Sequence, residues 1–444
     1  MNILRAVTSF ARSRRLMKRF RARTELDAWH HDRVMEHLAW VRERSPYYRR
    51  LFDGLDACQW RTWPTSDKRV MVEDFDDANT GGLRRDELMP LATLAERSRD
   101  FSGRARGFSV GLSSGTSGRR SLFVSSPTEN DRWAGAVLAR VLRRPIASCR
   151  RIAFFHRANN TLYSHANIGP MQVRFFDLLK PIPDLLEAAT AYQPTMLVGP
   201  PAMLRELADA QSNGRVRLSP GRIISVAEQL DPLDRSFIER AFGVTLDQLY
   251  IATEGFIAAT CAHGRLHLCE ELLVVQEEPV PGDARRFVPI LTDFSRRTQP
   301  IIRYRLNDIL VRGRDDACPC GSIFRSIDRI EGRCDDQFVL PSTSSGAPDV
   351  IVFPDFIREA CTSSQAVEAF QACQTSTDRV VVRLSTHVEA QRAAREAVRD
   401  ALMRLFARLQ AEPPSIEFDA YHVDLSKGKL RRVERAFRWP ERGE

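Results

Sequence analysis

The sequence predicts an α/β protein: a large N-terminal α/β domain with a mostly parallel sheet, followed by a small C-terminal α+β lid domain. Three observations carry this expectation. Between residues 151 and 243, apolar runs of strand length alternate with capped helical segments, the pattern of parallel strands joined by crossover helices. The texture changes at Gly332-Arg333-Cys334-Asp335-Asp336. Finally, 444 residues exceed what one hydrophobic core usually serves.

Taken in order, the chain opens on a basic segment, residues 1–24. It holds Arg5, Arg12, Arg14, Arg15, Lys18, Arg19, Arg21 and Arg23 and no acid, with Ile3, Val7, Phe10 and Met17 at helical spacing. Two readings stand for it: a solvated helix packed on the surface, or a basic amphipathic helix in weak contact with anionic membrane. Residues 25–52 read as helical, with Leu26, Trp29, Val34, Leu38 and Val41 recurring, and Ser66-Asp67 caps a further short helix. Next comes Ser109-Val110-Gly111-Leu112-Ser113-Ser114-Gly115-Thr116-Ser117-Gly118-Arg119-Arg120, set between apolar Phe108 and Leu122-Phe123-Val124. It reads as a flexible loop between two strands. Such a loop is either a plain Ser/Gly linker or an anion cradle, in which close-packed N–H groups, hydroxyls and a terminal cation meet phosphate.

Strands are expected over Arg151 to Phe155, Thr195 to Gly199 and Arg222 to Val226. Helices are expected from Pro201 to Asn213, stopped by Gly214, and from Asp231-Pro232 to a stop at Gly243. The domain boundary falls at about 334, giving 25–334 and 335–444. Beyond it, Arg379 to Leu384 and Ser415 to Phe418 suit strands, and Ala394, Val398, Leu402, Leu405 and Leu409 mark one helix face.

Composition narrows the function classes. No run approaches the ~20 apolar residues of a membrane span. Nine cysteines, an odd number spread from Cys58 to Cys373, do not make a secreted disulfide framework, so a reducing cytoplasm is expected. The net charge of +9 is concentrated at the start, and the remainder is too diffuse to imply nucleic acid.

Six stretches then follow one another: the Ser113–Arg119 loop, Val226-Ala227-Glu228-Gln229, Tyr250-Ile251-Ala252-Thr253-Glu254-Gly255, Arg303-Tyr304-Arg305-Leu306-Asn307-Asp308, Gly332-Arg333-Cys334-Asp335-Asp336, and Ser426-Lys427-Gly428-Lys429-Leu430. In these, and in this order, the chain resembles the adenylate-forming (AMP-binding) enzymes, in particular the branch of phenylacetate–CoA ligases and deazaflavin-coenzyme adenylating synthetases. The resemblance runs from Ser45-Pro46-Tyr47-Tyr48 to Arg432. It implies that Ser113, Ser114, Gly115, Thr116, Ser117, Gly118 and Arg119 hold the β- and γ-phosphates of ATP. Ala227 and Glu228 lie against adenine, with Tyr250 flanking adenine or substrate. Thr253 contacts the α-phosphate and Glu254 holds Mg²⁺, a hard cation suited to carboxylate oxygen. Asp308 accepts the ribose hydroxyls, Arg333 stands beside the ribose, Asp335 is the hinge of the lid, and Lys429 bridges carboxylate and α-phosphate.

The implied activity is adenylation of a carboxylic acid, expected to be aromatic, followed by transfer to a thiol such as CoA or an acyl carrier protein. An amide-forming ligase, a small-molecule adenylyltransferase and a non-catalytic nucleotide-binding scaffold are the alternatives, and a homodimer is allowed for. Three positions depart from the family pattern: Arg119 for lysine, Ile251 for glycine and Asn307 for glycine. Phe154-Phe155-His156-Arg157, with Tyr250 and Phe256, either lines the acid pocket or belongs to the core. A separate set, Cys261, His267, Cys318 and Cys320, could supply a Cys₃His tetrahedron for a structural Zn²⁺. The other reading is a group of reduced cysteines, and the resemblance favours the zinc.

Overall fold

The computed structural model describes residues 2–101, 103–113, 120–142, 151–157, 171–422 and 429–439. Contacts divide the chain into two compact units. The first comprises 1–230, 237–306 and 311–329; the second is 330–444 together with Asp231–Ser236 and Asn307–Leu310.

Unit one begins with helices α1 (Ile3–Leu16), α2 (Arg23–Arg44), α3 (Pro46–Leu51), α4 (Lys68–Val72), α5 (Phe75–Ala78) and α6 (Arg85–Ser98). Helix α1 lies on α7 (Pro127–Val141). The close approach rests on Gly135: a Cβ there would stand 2.3 Å from the Ala6 carbonyl oxygen. As a result α1 buries Ala6, Ser13 and Leu16. Of the apolar residues at helical spacing, Ile3 and Val7 are exposed. Small residues allow the helices to meet backbone to backbone, so packing overrides the apolar pattern. The first residue of α2 is fixed in turn, with Arg23 donating bidentately to fully buried Glu270 at 2.7 and 2.8 Å. Glu270 also holds Arg325 at 3.1 Å, so two arginines share this buried carboxylate.

Strand β1 (Arg104–Ala105) pairs with β2 (Phe108–Leu112), and β2 pairs antiparallel with β3 (Leu122–Ser125). Further strands are β4 (Arg151–His156), β5 (Gln172–Asp177), β6 (Met196–Gly199), β7 (Arg222–Ser225), β8 (Leu246–Ala252), β9 (Gly255–Thr260), β10 (Leu266–Leu268), β11 (Val274–Val280), β12 (Asp283–Asp293), β13 (Ile301–Arg305), β14 (Asp308–Arg312) and β15 (Ser326–Arg333). Among the described residues these form one sheet in the order β11-β12-β14-β15-β10-β9-β8-β7-β6-β4-β5, with β13 on β12. The stretch β5-β4-β6-β7-β8 is parallel, and antiparallel strands continue it from β9 onward.

Helices α8 (Ile182–Tyr192), α9 (Pro201–Ser212) and α10 (Pro232–Phe242) connect the parallel strands. The last two end where the sequence placed stops, Gly214 at φ +70° and Gly243 at φ +67°, conformations a Cβ disfavours. The strands read as apolar because both faces are covered: Leu197, Ile223, Ile224 and Phe155 are fully buried. Burial of a side chain such as Phe155 contributes roughly 1.5–3 kcal/mol.

Unit two holds the short pair β16 (Phe338–Leu340) and β17 (Val350–Val352), then α11 (Pro354–Cys361), β18 (Val367–Ser376), β19 (Arg379–Thr386), α12 (Gln391–Arg408), β20 (Ser415–Ala420) and β21 (Val433–Arg435). Its four-stranded sheet runs β20-β19-β18-β21. Ala394, Val398, Leu402, Leu405 and Phe406 of α12 join Phe370, Val380 and Val382 in one core. The first turn of α10 is anchored in this unit by two buried ion pairs, Arg432 with Asp234 at 2.7 Å and Arg358 with Asp231 at 2.9 Å.

Candidate active site

In unit one the carboxyl ends of β4, β6 and β7 carry His156, Gly199 and Ser225. Strand β5 lies on one side of β4 and β6 on the other, so the sheet reverses its winding between β4 and β6. Open α/β sheets bind ligands at such a point. Beyond β7 the chain turns sharply: the Glu228 amide donates to the Val226 carbonyl at 2.9 Å, closing a γ-turn whose central residue, Ala227, has φ +70°. This conformation is strained for a residue with a Cβ, and such strain clusters at functional sites. Just before the turn, the Ser225 hydroxyl is buried with no hydrogen-bond partner among the described residues. A buried polar atom of this kind calls for a ligand or an ordered water.

Thr253 and Glu254 form the two-residue turn between β8 and β9, whose flanking pair is Ala252 and Gly255. The Thr253 hydroxyl donates to Glu254 Oε2 at 2.9 Å. The buried Tyr304 phenol stands near the Glu254 carboxylate. Burial and then that carboxylate push its pKa up, so it stays a donor. Arg296 ties the turn to the β2–β3 hairpin. Its Nη1 donates to the Thr253 carbonyl and its Nη2 to Gln299 Oε1 at 3.3 Å. Gln299 Oε1 also accepts from the Val124 amide at 3.1 Å, and its Nε2 donates to the Leu122 carbonyl at 3.0 Å. The Arg296 guanidinium lies over the Phe123 ring, 5.0 Å from its centroid.

The base of the loop is closed by the Ser113 amide on the Ser121 carbonyl at 2.9 Å and by the Ser121 amide on Ser113 Oγ at 3.0 Å. Ser114, Gly115, Thr116, Ser117, Gly118 and Arg119 lie outside the described residues. Arg120 turns away to donate to the Ser113 carbonyl and pairs with Glu96.

Tyr250 is buried at the end of β8. Phe155 is fully buried and stacks on Phe176 at 4.6 Å, and Phe256 is 1% exposed, so these two are core. His156, stacked on Phe154 at 5.5 Å, sits at the strand end and is half-buried.

Unit two holds Asp308 and Arg333, whose Oδ1 and Nε stand 3.8 Å apart. Asn307 donates through Nδ2 to Asp335 Oδ2 at 2.5 Å, and the Cys334 amide donates to the Asn307 carbonyl at 3.0 Å. Asp336 pairs with Arg431. Lys429 is half-buried, ahead of β21. Asp335 is therefore held by Asn307.

Sequence reasoning missed Arg296, Gln299 and the buried Tyr304 phenol near Glu254. The available signal was the polar run Ser295-Arg296-Arg297-Thr298-Gln299 between two apolar strands, which looks like an ordinary loop.

The ligand atoms of Cys261, His267, Cys318 and Cys320 all lie within 4.8 Å of one another. Cys261 Sγ is 3.7 Å from Cys318 Sγ, and Cys320 Sγ is 3.5 Å from His267 Nε2. With Zn–S near 2.3 Å and Zn–N near 2.0–2.1 Å, tetrahedral zinc separates two thiolates by about 3.8 Å and a thiolate from an imidazole nitrogen by about 3.6 Å. The donor set fits that ion. His267 Nδ1 stands 2.8 Å from the Phe324 carbonyl, which fixes the ring with Nε2 toward the sulfurs. Burial holds the imidazole pKa down, leaving the neutral form that ligates.

No protein-family model and no curated protein matches the sequence. Solved structures do match the fold. A 2-hydroxyisobutyryl-CoA ligase in its postadenylation state is similar with a TM-score of 0.69 and 16% identity, over 95% of this chain and 91% of that one. GH3.15 acyl acid amido synthetase has a TM-score of 0.58 and 12% identity over 92% and 91%. The amide bond synthetase McbA from Marinactinospora thermotolerans has a TM-score of 0.53 and 15% identity over 73% and 68%. At these identities the likeness is one of fold, and the fold is that of the adenylate-forming ligases.

Proposed function

We propose that this chain is an ATP-dependent, AMP-forming ligase that activates a carboxylic acid as its acyl-adenylate and passes the acyl group to a thiol such as CoA. The observation that carries the reading is the Arg296–Gln299 junction. It fastens the Thr253–Glu254 turn to the hairpin bearing the Ser/Thr/Gly loop, so the α-phosphate and β/γ-phosphate positions of one nucleotide share a rigid frame.

In the first step a carboxylate oxygen attacks the α-phosphorus in line, the new P–O bond forms, and the bond to pyrophosphate breaks. Thr253 turns its hydroxyl proton from Glu254 to the α-phosphate, Lys429 balances the charge that builds there, and Asp308 accepts the ribose hydroxyls. Glu254, in the turn beside the buried Tyr304 phenol, offers the oxygen ligand for Mg²⁺, which when bound would neutralise phosphate charge. In the second step the thiolate sulfur attacks the acyl carbonyl and AMP leaves with its electron pair. His156, stacked on core Phe154, and Ile251 near the end of β8 favour an acid with a planar aromatic group. Cys261, His267, Cys318 and Cys320 hold a structural zinc, as the resemblance to some phenylacetate–CoA ligase relatives implies.

The test is incubation with ATP, Mg²⁺ and a panel of aryl and aliphatic acids, with and without CoA, followed by mass spectrometry. Acyl-AMP without CoA and acyl-CoA with it are expected, both falling at least about a hundredfold in Lys429→Ala. Acyl-AMP that CoA does not consume, but amines do, would support the second reading, amide formation, which the likeness to two amide synthetases favours.

A further inference from the structure

The inner face of α1 is committed to α7. The Asn2 amide donates to Asp131 at 2.9 Å, Ser9 Oγ to the Arg132 carbonyl at 2.7 Å, and Arg14 to the Leu142 carbonyl at 2.8 Å. This fixes what points outward. At 100° per residue, Leu4, Val7, Ala11, Arg12 and Arg15 of α1 fall in the outer sector.

The outer face has two chemically different ends. At the N-terminal end Ile3, Leu4 and Val7 are 54%, 76% and 49% exposed. Of the nine large apolar residues so exposed among those described, these three lie within five positions of one another. About 12 Å along the axis, Arg12, Arg15 and Arg19 line an open cavity of about 420 Å³ floored by Leu16 and Trp29. No carboxylate pairs with these three guanidinium groups among the described residues, whereas the neighbouring Arg23 is paired twice. The first acid in the sequence is Glu25.

We propose that this face docks on an anionic phospholipid bilayer. Arg12, Arg15 and Arg19 take headgroup phosphates at the cavity, Ile3, Leu4 and Val7 enter the acyl boundary, and Trp29 sits at the headgroup level. A bilayer surface is the partner that uses both ends of the face. A soluble polyphosphate or a nucleic acid would engage the arginines and leave Leu4 and Ile3 in water, while an apolar partner would leave three unpaired cations against it. No helix among the described residues is long and apolar enough to cross a membrane, so the contact is interfacial.

The experiment is sedimentation of the full chain with phosphatidylcholine vesicles, with and without about 30 mol% phosphatidylserine, at low and high salt. The protein should bind the anionic vesicles only and be released by salt. Combined Arg12→Glu, Arg15→Glu and Arg19→Glu should weaken binding by at least about a hundredfold, since each basic residue near the surface contributes about a factor of five. Leu4→Ser should weaken it several-fold at unchanged charge. All these positions are exposed, so melting temperatures should stay at the wild-type value. The proposal is overturned by absence of binding to phosphatidylserine vesicles, by binding that survives charge reversal, or by binding that Leu4→Ser leaves unchanged while pyrophosphate or single-stranded DNA displaces it.

Discussion

Arg296 does more to assemble the candidate site than any residue the motifs pointed to, and its reach across the chain explains why. Its partners Thr253 and Phe123 are 43 and 173 positions away, and no local pattern announces such contacts. The motif residues themselves were legible, because hydroxyl, carboxylate and glycine in a fixed order carry chemistry. Their supports were not: Tyr304 reads as one apolar residue of a strand, and the left-handed φ at Ala227 has no signal in an alanine.

Beside Arg296, Asp293 makes a residue-scale prediction. Burial pushes its carboxyl up to about 6, against the Ser295 donors and the Arg296 charge. A raised folded-state value means that the folded chain holds this proton more tightly than the unfolded chain. The contribution to stability is therefore full below about pH 4 and is lost as pH rises through about 6. Wild type should lose on the order of 3 kcal/mol relative to Asp293→Asn across that window. Denaturant unfolding of both proteins at several pH values reads it directly, and parallel pH profiles would contradict it.

At the scale of elements, strands and helices with caps and stops were legible, since Gly214 and Gly243 end their helices through a backbone conformation that glycine alone adopts freely. The buried face of α1 was not. Gly135 on α7 lets the helices touch through small residues, so the apolar side chains are left facing out.

The 261–269 hairpin and the 318–320 loop were readable as a donor set, and their geometry makes the proposed zinc a staple between them. Purified protein should carry about one zinc per chain, and removal by a chelator or by Cys318→Ser should lower the melting temperature by several degrees without abolishing adenylation. A metal-free chain whose four thiol and imidazole groups react freely, with an unchanged melting temperature, would contradict the staple.

For the whole molecule, the α/β class followed from alternating strands and helices, and the C-terminal α+β unit from its own apolar periodicity, which supplies the separate core of Phe370, Val380, Val398 and Leu402. The discontinuous parts of that unit were hidden. Asp231 and Asp234 belong to it through buried pairs with Arg358 and Arg432, more than a hundred residues away.

The central claim is that a single chain with this fold forms an acyl-adenylate. Exchange of labelled pyrophosphate into ATP, measured with Mg²⁺ across the acid panel and in the absence of any acceptor, tests it most directly. The account predicts acid-dependent exchange with one class of acid, reduced at least about a hundredfold in both Glu254→Gln and Lys429→Ala. ATP binding without acid-dependent exchange, or exchange unaffected by both substitutions, would contradict it.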